Sequence, residues 1–183
     1  TAKHFLAYSF PASGQDRTQT LLPERYLREY FLPPFISAVE QNVEAIMVNS
    51  SEVNGLPLHA NHEMLTTLLR NQMKFKGVIL TDWEDVKKLH NLHKVAPNIK
   101  EAVRLSVQAG IDICMAPNDF HFTDNQIALV REGLVQEGTL NASVWRILRL
   151  KFALGLFDNP YPDPGSAGEI GKEDAHALSR QAA

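Results

Sequence analysis

The chain has 183 residues, 44% of them hydrophobic and 21% charged, a composition that provides for a buried core and excludes a disordered or fibrous chain. Lys and Arg number 18 against 21 Asp and Glu, and the longest basic run is Lys87-Lys88. With a formal net charge of -3 the chain has no electrostatic footprint for a nucleic-acid backbone or an anionic membrane, so an uncharged or weakly charged substrate is expected.

Four short apolar runs recur, at Lys3 to Tyr8, Glu44 to Asn49, Gly77 to Asp82 and Ile111 to Ala116, each followed by a polar loop and then by helical periodicity. The chain opens on the first run with no start methionine and no signal-like segment, which places the expected natural amino terminus upstream. The first helical stretch runs from Pro23-Glu24 to about Gln41 and should be split by Pro33-Pro34. A second spans 61–73, with Met64, Leu65, Leu68 and Leu69 on one face. His90 and His93, among Lys87, Lys88 and Lys94, read as a solvated polar loop. A third helix, 99–109, is stopped by Gly110. The only cysteine, Cys114, lies in the fourth run, which rules out an intrachain disulfide and predicts a buried small hydrophobe. A helix over 125–137, stopped by Gly138, and another from a cap at Asn141, with Val144, Ile147, Leu148 and Phe152 at core spacing, complete the pattern. No stretch approaches the ~20 apolar residues of a membrane span.

Near-continuous hydrophobic strands alternating with helices predict an α/β fold with a parallel sheet covered on both faces. A full eightfold (β/α) barrel of the TIM type needs about 250 residues, so four βα units make about half of one. We therefore read residues 1–157 as the C-terminal half of such a barrel. The turn formers of 158–171, beginning Asp158-Asn159-Pro160-Tyr161-Pro162, read as a linker, and 172–183 as the start of a helix leading to a further domain.

Thr81-Asp82-Trp83 puts a carboxylate and an aromatic ring where a buried strand ends, the place where α/β folds keep their chemistry. Lys3-His4 puts two polar groups on another apolar strand. Together they suggest one pocket. On spacing alone Asp82 could equally cap the loop that follows, Trp83 could be core packing, and Lys3-His4 a structural pair.

The ordered set of motifs goes further. Lys3-His4-Phe5, Asp16-Arg17-Thr18, Pro23-Glu24-Arg25 through Pro33-Pro34-Phe35, Val53-Asn54-Gly55 through His59-Ala60-Asn61, Phe75-Lys76-Gly77 through Asp82-Trp83, and Ile147-Leu148-Arg149 through Leu156-Phe157 resemble, in order, the second half of the barrel domain of glycoside hydrolase family three. The resemblance implies a retaining exo-acting β-glycosidase of β-glucosidase type that acts on β-linked oligosaccharides or glycosides, with a β-xylosidase as the alternative within the family. A non-catalytic sugar-binding half-barrel is the rival from another class. Asp82 is implied as nucleophile, Lys3 and His4 as ligands of sugar hydroxyls, and Trp83 as a flat wall for a sugar ring. Asp16-Arg17 could pin its loop by a salt bridge, and Asn49 could either bond the loop or line the pocket. No metal or organic cofactor is implied, since two carboxyl groups suffice for this chemistry. The acid/base glutamate would come from a second domain beyond the linker, the barrel's other half would also be a partner, and a periplasmic or secreted setting is favoured.

Two departures matter. Many members of that family carry a tyrosine after the second of these strands, where this chain reads Asn49-Ser50-Ser51-Glu52, so the tyrosine's contact is not carried over. The Asp-x-His element of the N-acetylglucosamine-specific branch is missing after Lys3-His4. His59-Ala60-Asn61-His62-Glu63 matches no zinc spacing and reads as a structural loop, and the glycines at 165, 168 and 171 fail the phosphate-loop spacing. Asn49-Ser50-Ser51 and Asn141-Ala142-Ser143 match the glycosylation pattern only weakly.

Overall fold

A computed structural model describes all 183 residues. They divide into two compact units, Thr1–Leu150 and Lys151–Ala183. The first holds six strands: β1 (Ala2–Phe5), β2 (Ala45–Val48), β3 (Glu52–Val53), β4 (Leu56–Pro57), β5 (Val78–Trp83) and β6 (Ile113–Met115). Four of them form one parallel sheet in the order β1-β2-β5-β6. The register pairs Phe5 with Val48, Met47 with Leu80 and Leu80 with Ile113, so all four strands end on the same side. The short antiparallel pair β3-β4, absent from the sequence reading, follows β2 in the chain, and Val53 bridges to Thr20.

The helical segments are α1 (Glu24–Tyr26), which continues in π-helical geometry through Leu27–Phe31, α2 (Pro33–Glu40), α3 (Glu63–Gln72), which is π-helical, α4 (Asp85–Asn91), α5 (Ile99–Ala109), α6 (His121–Arg131), α7 (Glu137–Ala153) and α8 (Glu173–Ala182). The split at Pro33-Pro34 is found: Leu32 donates to the Leu27 carbonyl five residues back, and both prolines enter the first turn of α2, where a missing amide costs nothing. α5 has the predicted bounds. Asn98 caps it by accepting the Glu101 amide at 2.9 Å, and Gly110 closes it in the left-handed conformation at φ +112°.

Three expectations are corrected. Residues 87–94 are no solvated loop: α4 occupies 85–91, His90 Nδ1 lies 2.9 Å from the Ala96 carbonyl, and His93 Nδ1 lies 2.7 Å from Glu52 Oε1. The helix expected over 125–137 begins four residues earlier and ends at Arg131, because Gly133 takes φ +73° and stops it; Gly138 and Asn141 lie inside α7 instead. The stripe Val144, Leu148 and Phe152 of α7 is not core but exposed, and α7 contains no buried residue.

The core follows strand alternation. Phe5, Ile46, Val48 and Ile79 are wholly buried against α1, α2 and α3, with the Phe5 and Phe35 rings edge to face at 5.1 Å. Met47, Leu80 and Ile113 are only partly covered, so one face of the sheet is packed and the other partly open, rather than both being covered. A second cluster joins α4, α5 and α6 through Val86, Leu89, Val103, Val107 and Leu129. Asp112, just before β6, ties the sheet to the helices: it accepts the Ile79 amide at 2.9 Å and bonds Arg70, Arg146 and Ser143.

Candidate functional site

Asp82 is the penultimate residue of β5, at the C-terminal side of the parallel sheet. The strand end is fixed from two directions. The buried Thr81 hydroxyl accepts the Met115 amide at 2.8 Å, and the Glu84 amide donates to the Met115 carbonyl at 2.8 Å. Glu84 then takes φ +57°, an uncommon conformation for a residue with a side chain, and α4 starts at once at Asp85. The carboxylate is thereby held on an ordered turn rather than on a loose loop.

Four segments converge on it. Asp82 Oδ1 accepts the Trp83 amide at 2.6 Å, and Oδ2 accepts the Ser50 hydroxyl at 3.1 Å. His4 Nε2 from β1 stands 3.5 Å from Oδ2, and Arg17 from the loop after β1 stands 3.9 Å away. Burial by itself would push the Asp82 carboxyl up, but the Trp83 amide, the Ser50 hydroxyl, Arg17 and His4 together outweigh it and hold the group below its ordinary value. The result is a carboxylate that is ionised and partly desolvated, with one face open.

A second carboxylate sits behind the first. Asp85, with a side chain 1% exposed, accepts the same Ser50 hydroxyl at 2.6 Å and Lys88 Nζ at 2.5 Å. His59 Nε2 lies 3.6 Å from it without a hydrogen-bond partner, and full burial pushes that imidazole down to about 4, so it is neutral. Asp85 is committed to these partners and cannot reach a ligand at the open face.

The surrounding shell explains the shape. Asn49 donates to the Leu6 carbonyl at 2.7 Å while its own oxygen accepts from Ser51, so it bonds the loop rather than lining a pocket, and its burial bars glycosylation. Tyr8 packs on the His4 ring at 4.8 Å and donates to Asp16, whose carboxylate lies 3.8 Å from Arg17. Asp16-Arg17 therefore pins its loop and also presents Arg17 to Asp82. Cys114 is partly buried and its thiol is pushed up to about 11 by burial, which leaves it unreactive.

Of the residues singled out in the sequence, His4 and Asp82 are brought together. Lys3 is exposed and makes no hydrogen bond or ion pair; it lines a cleft of about 370 Å³ beside His4, Tyr8 and Phe35. The Trp83 ring is half exposed, while its carbonyl accepts Lys88 Nζ at 2.9 Å. Ser50, Asp85 and Lys88 were not candidates. Ser50 is a small residue in a polar loop, and no spacing rule points to a hydroxyl contact across 32 positions. Asp85 follows Asp82 by three positions across the end of a strand, and the left-handed Glu84 sets their relative placement.

The sequence profile of the glycosyl hydrolase family 3 N-terminal domain matches residues 1–150. The chain belongs to that family. It is 45% identical over 187 residues to a lysosomal beta glucosidase of Dictyostelium discoideum, covering 99% of this chain and 23% of that protein. It is 34% identical over 164 residues to a beta-xylosidase of Formosa agariphila, covering 86% of this chain and 23% of the other. Among solved structures, a beta-glucosidase from Listeria innocua in complex with glucose superposes with a TM-score of 0.89 at 31% identity, over 98% of this chain and 24% of that one. The chain thus spans about a quarter of the length of these family relatives, and its α/β parallel sheet is a half-barrel portion of the family's barrel domain.

Proposed function

We propose that the protein containing this chain is a retaining exo-acting β-glycosidase of β-glucosidase type, with Asp82 as nucleophile. The observation that carries this reading is the Asp82 carboxylate itself: it ends a parallel strand, is held charged by hydrogen bonds from the Trp83 amide and the Ser50 hydroxyl with Arg17 and His4 close by, and stays partly open to solvent. Such a group can bond an anomeric carbon through an oxocarbenium-like transition state, provided a second carboxyl about 5 to 5.5 Å away protonates the leaving oxygen. Asp85 cannot be that acid, because it already serves Ser50 and Lys88 in a buried position. We assign the acid/base to a second domain beyond residues 158–171, and the missing strands to the barrel's other half, with 1–157 as the C-terminal half of the barrel and 172–183 leading onward.

His4 and Lys3 are proposed as ligands of the terminal sugar's hydroxyls, and Trp83 as the apolar wall on which its ring packs. Lys3 and Trp83 are exposed and His4 is partly so, and His4 stands 3.5 Å from Asp82, which suits those roles. A β-xylosidase is the second reading, supported by the relative of that name. The lysosomal relative supports a setting outside the cytosol. The test is a mechanism-based inactivator. A 2-deoxy-2-fluoroglucosyl or fluoroxylosyl fluoride should label Asp82 in the full-length enzyme, and label on any other carboxylate would overturn the assignment.

A further inference from the structure

Ser50 has one proton and two carboxylates to serve. Its hydroxyl oxygen lies 2.6 Å from Asp85 Oδ2 and 3.1 Å from Asp82 Oδ2. Ser50 and Asp85 are buried, while Asp82 is only partly so, which means no bulk water competes for that proton at its inner end. We propose that Ser50 is a positioning residue whose hydroxyl proton swings between Asp85 and Asp82 as the charge on Asp82 changes, and that it chiefly assists the second half of the reaction. The proposal rests on the reading of Asp82 as nucleophile.

The argument follows the charge. In the first step the Asp82 carboxylate forms a bond to the anomeric carbon, the bond from that carbon to the leaving oxygen breaks, and the acid/base gives that oxygen its proton. Asp82 becomes a neutral ester and a poor acceptor, so the Ser50 proton turns fully to Asp85, which Lys88 holds from its other oxygen. In the second step water attacks the same carbon, its proton passes to the acid/base, and the electron pair of the ester bond returns to Asp82. Negative charge then develops on Asp82, and a hydroxyl already within 3.1 Å can turn back to receive it without reorganising solvent. A donor that strengthens only as charge develops lowers the barrier of the second step; the same donor slightly stabilises the carboxylate before the first and gains nothing there.

The other groups facing this pair do not duplicate the role. His4 and Arg17 approach Asp82 at 3.5 and 3.9 Å, beyond good hydrogen-bonding distance, and the Trp83 amide is bound to Oδ1. Around Asp85, Lys88 is its charged partner and His59 is a neutral imidazole at 3.6 Å.

The experiment separates the two steps in the full-length enzyme. With a 2,4-dinitrophenyl glycoside the leaving group needs little assistance, kcat reports the second step and kcat/KM the first. Ser50→Ala should lower kcat roughly tenfold or more, the size expected for losing a hydrogen bond to a charged group, and kcat/KM by less than about threefold. Glycosyl-enzyme should accumulate, and the acid limb of the kcat/KM profile should move to higher pH, since Asp82 loses a donor to its charged form. Ser50→Thr, which keeps the hydroxyl, should restore both. Equal losses in kcat and kcat/KM with an unmoved acid limb would mean that Ser50 only packs the loop. Asp85→Asn gives an independent reading if the alanine variant does not fold: with the rival carboxylate exchanged for a neutral, weaker acceptor, the Ser50 proton should favour Asp82 and the acid limb should move to lower pH, and an unmoved limb would overturn the shared proton. Fluorosugar labelling of the wild type keeps the premise separate, because label away from Asp82 removes the nucleophile assignment whatever Ser50 does.

Discussion

His4 on β1 and Asp82 on β5 belong to strands separated by β2, yet His4 Nε2 and Asp82 Oδ2 lie 3.5 Å apart. Side chains of next-nearest strands meet in this way only on the concave side of a curved sheet, since flat parallel strands stand about 4.8 Å from each neighbour. The curvature of a barrel wall thus gathers the site, and the inward faces of β1 and β5 supply it.

The first prediction is that Asp82→Ala in the full-length enzyme abolishes turnover by several orders of magnitude while leaving the fold intact. The side chain is at the strand end, its packing is slight, and no neighbouring carboxylate can take over, because Asp85 faces Ser50 and Lys88. Steady-state rates and circular dichroism on the same preparation decide it. Retention of more than about a tenth of the wild-type rate would dismiss Asp82 as nucleophile.

Lys3→Ala and His4→Ala should each weaken the terminal sugar and slow turnover together, by roughly 1 to 3 kcal/mol in transition-state stabilisation, as for hydrogen bonds that involve a charged group or leave a partner unpaired. The His4 variant should cost more. It also removes a group 3.5 Å from Asp82 and the ring against which Tyr8 packs, whereas Lys3 has no protein partner to lose. Kinetic parameters on an aryl glycoside that matched wild type for both would remove them from the binding site.

The parallel strands and α5 were legible because they carry strong local signals: apolar runs and the Gly110 stop. Asp82 was legible as the polar break at the end of such a run. The α4 helix was not, since its lysines and histidines look solvated until Glu84 turns the chain and Val86 and Leu89 find the α5 surface. The apolar stripe of α7 misled in the opposite direction, since its spacing says core while in this chain it is exposed. Ser50 and Asp85 were invisible for a third reason. Their meaning is a contact between residues 35 apart, which no local pattern encodes.

Asp112 should dominate stability. Its side chain is wholly buried and is shared by Arg70, Arg146, Ser143 and the Ile79 amide, while burial pushes the Arg70 guanidinium down to about 10. Asp112→Ala leaves two cations without their common partner in a place poorly served by water, a loss of about 3 to 5 kcal/mol. Asp112→Asn should be milder, since it still accepts hydrogen bonds. Denaturant unfolding is the measurement. A change below about 1 kcal/mol for the alanine variant would show that water replaces the carboxylate.

His59 predicts a pH dependence of stability. Burial lowers its pKa from 6.5 to about 4 in the folded state. Above 6.5 both folded and unfolded chains hold it neutral and it costs nothing. As pH falls from about 6.5 toward 4 the unfolded chain takes up a proton that the folded one refuses, so stability drops across that window by on the order of 3 kcal/mol and levels off below it. His59→Gln should flatten this part of a melting-temperature profile. The same slope in wild type and variant would assign it to another group.

Expressed alone, residues 1 to 183 should show no measurable β-glycosidase activity. The four-stranded sheet ends at β1 on one side and β6 on the other, two edges whose backbone groups lack a strand partner, and such edges recruit other chains. Val144, Trp145 and Leu148 of α7 add an apolar face open to solvent. The isolated chain should therefore self-associate or require the rest of the barrel. A folded monomer would still lack a proton donor at the open face of Asp82, a deficit typically worth 10²- to 10⁴-fold. Aryl substrates with very good leaving groups are the fairest assay, because they depend least on that acid. Robust hydrolysis of an unactivated disaccharide by this chain would refute the split-site reading. It would require an acid within these residues, and Glu52, which shares a cleft with Arg17 and whose Oε1 lies 2.7 Å from His93 Nδ1, would be the first to substitute.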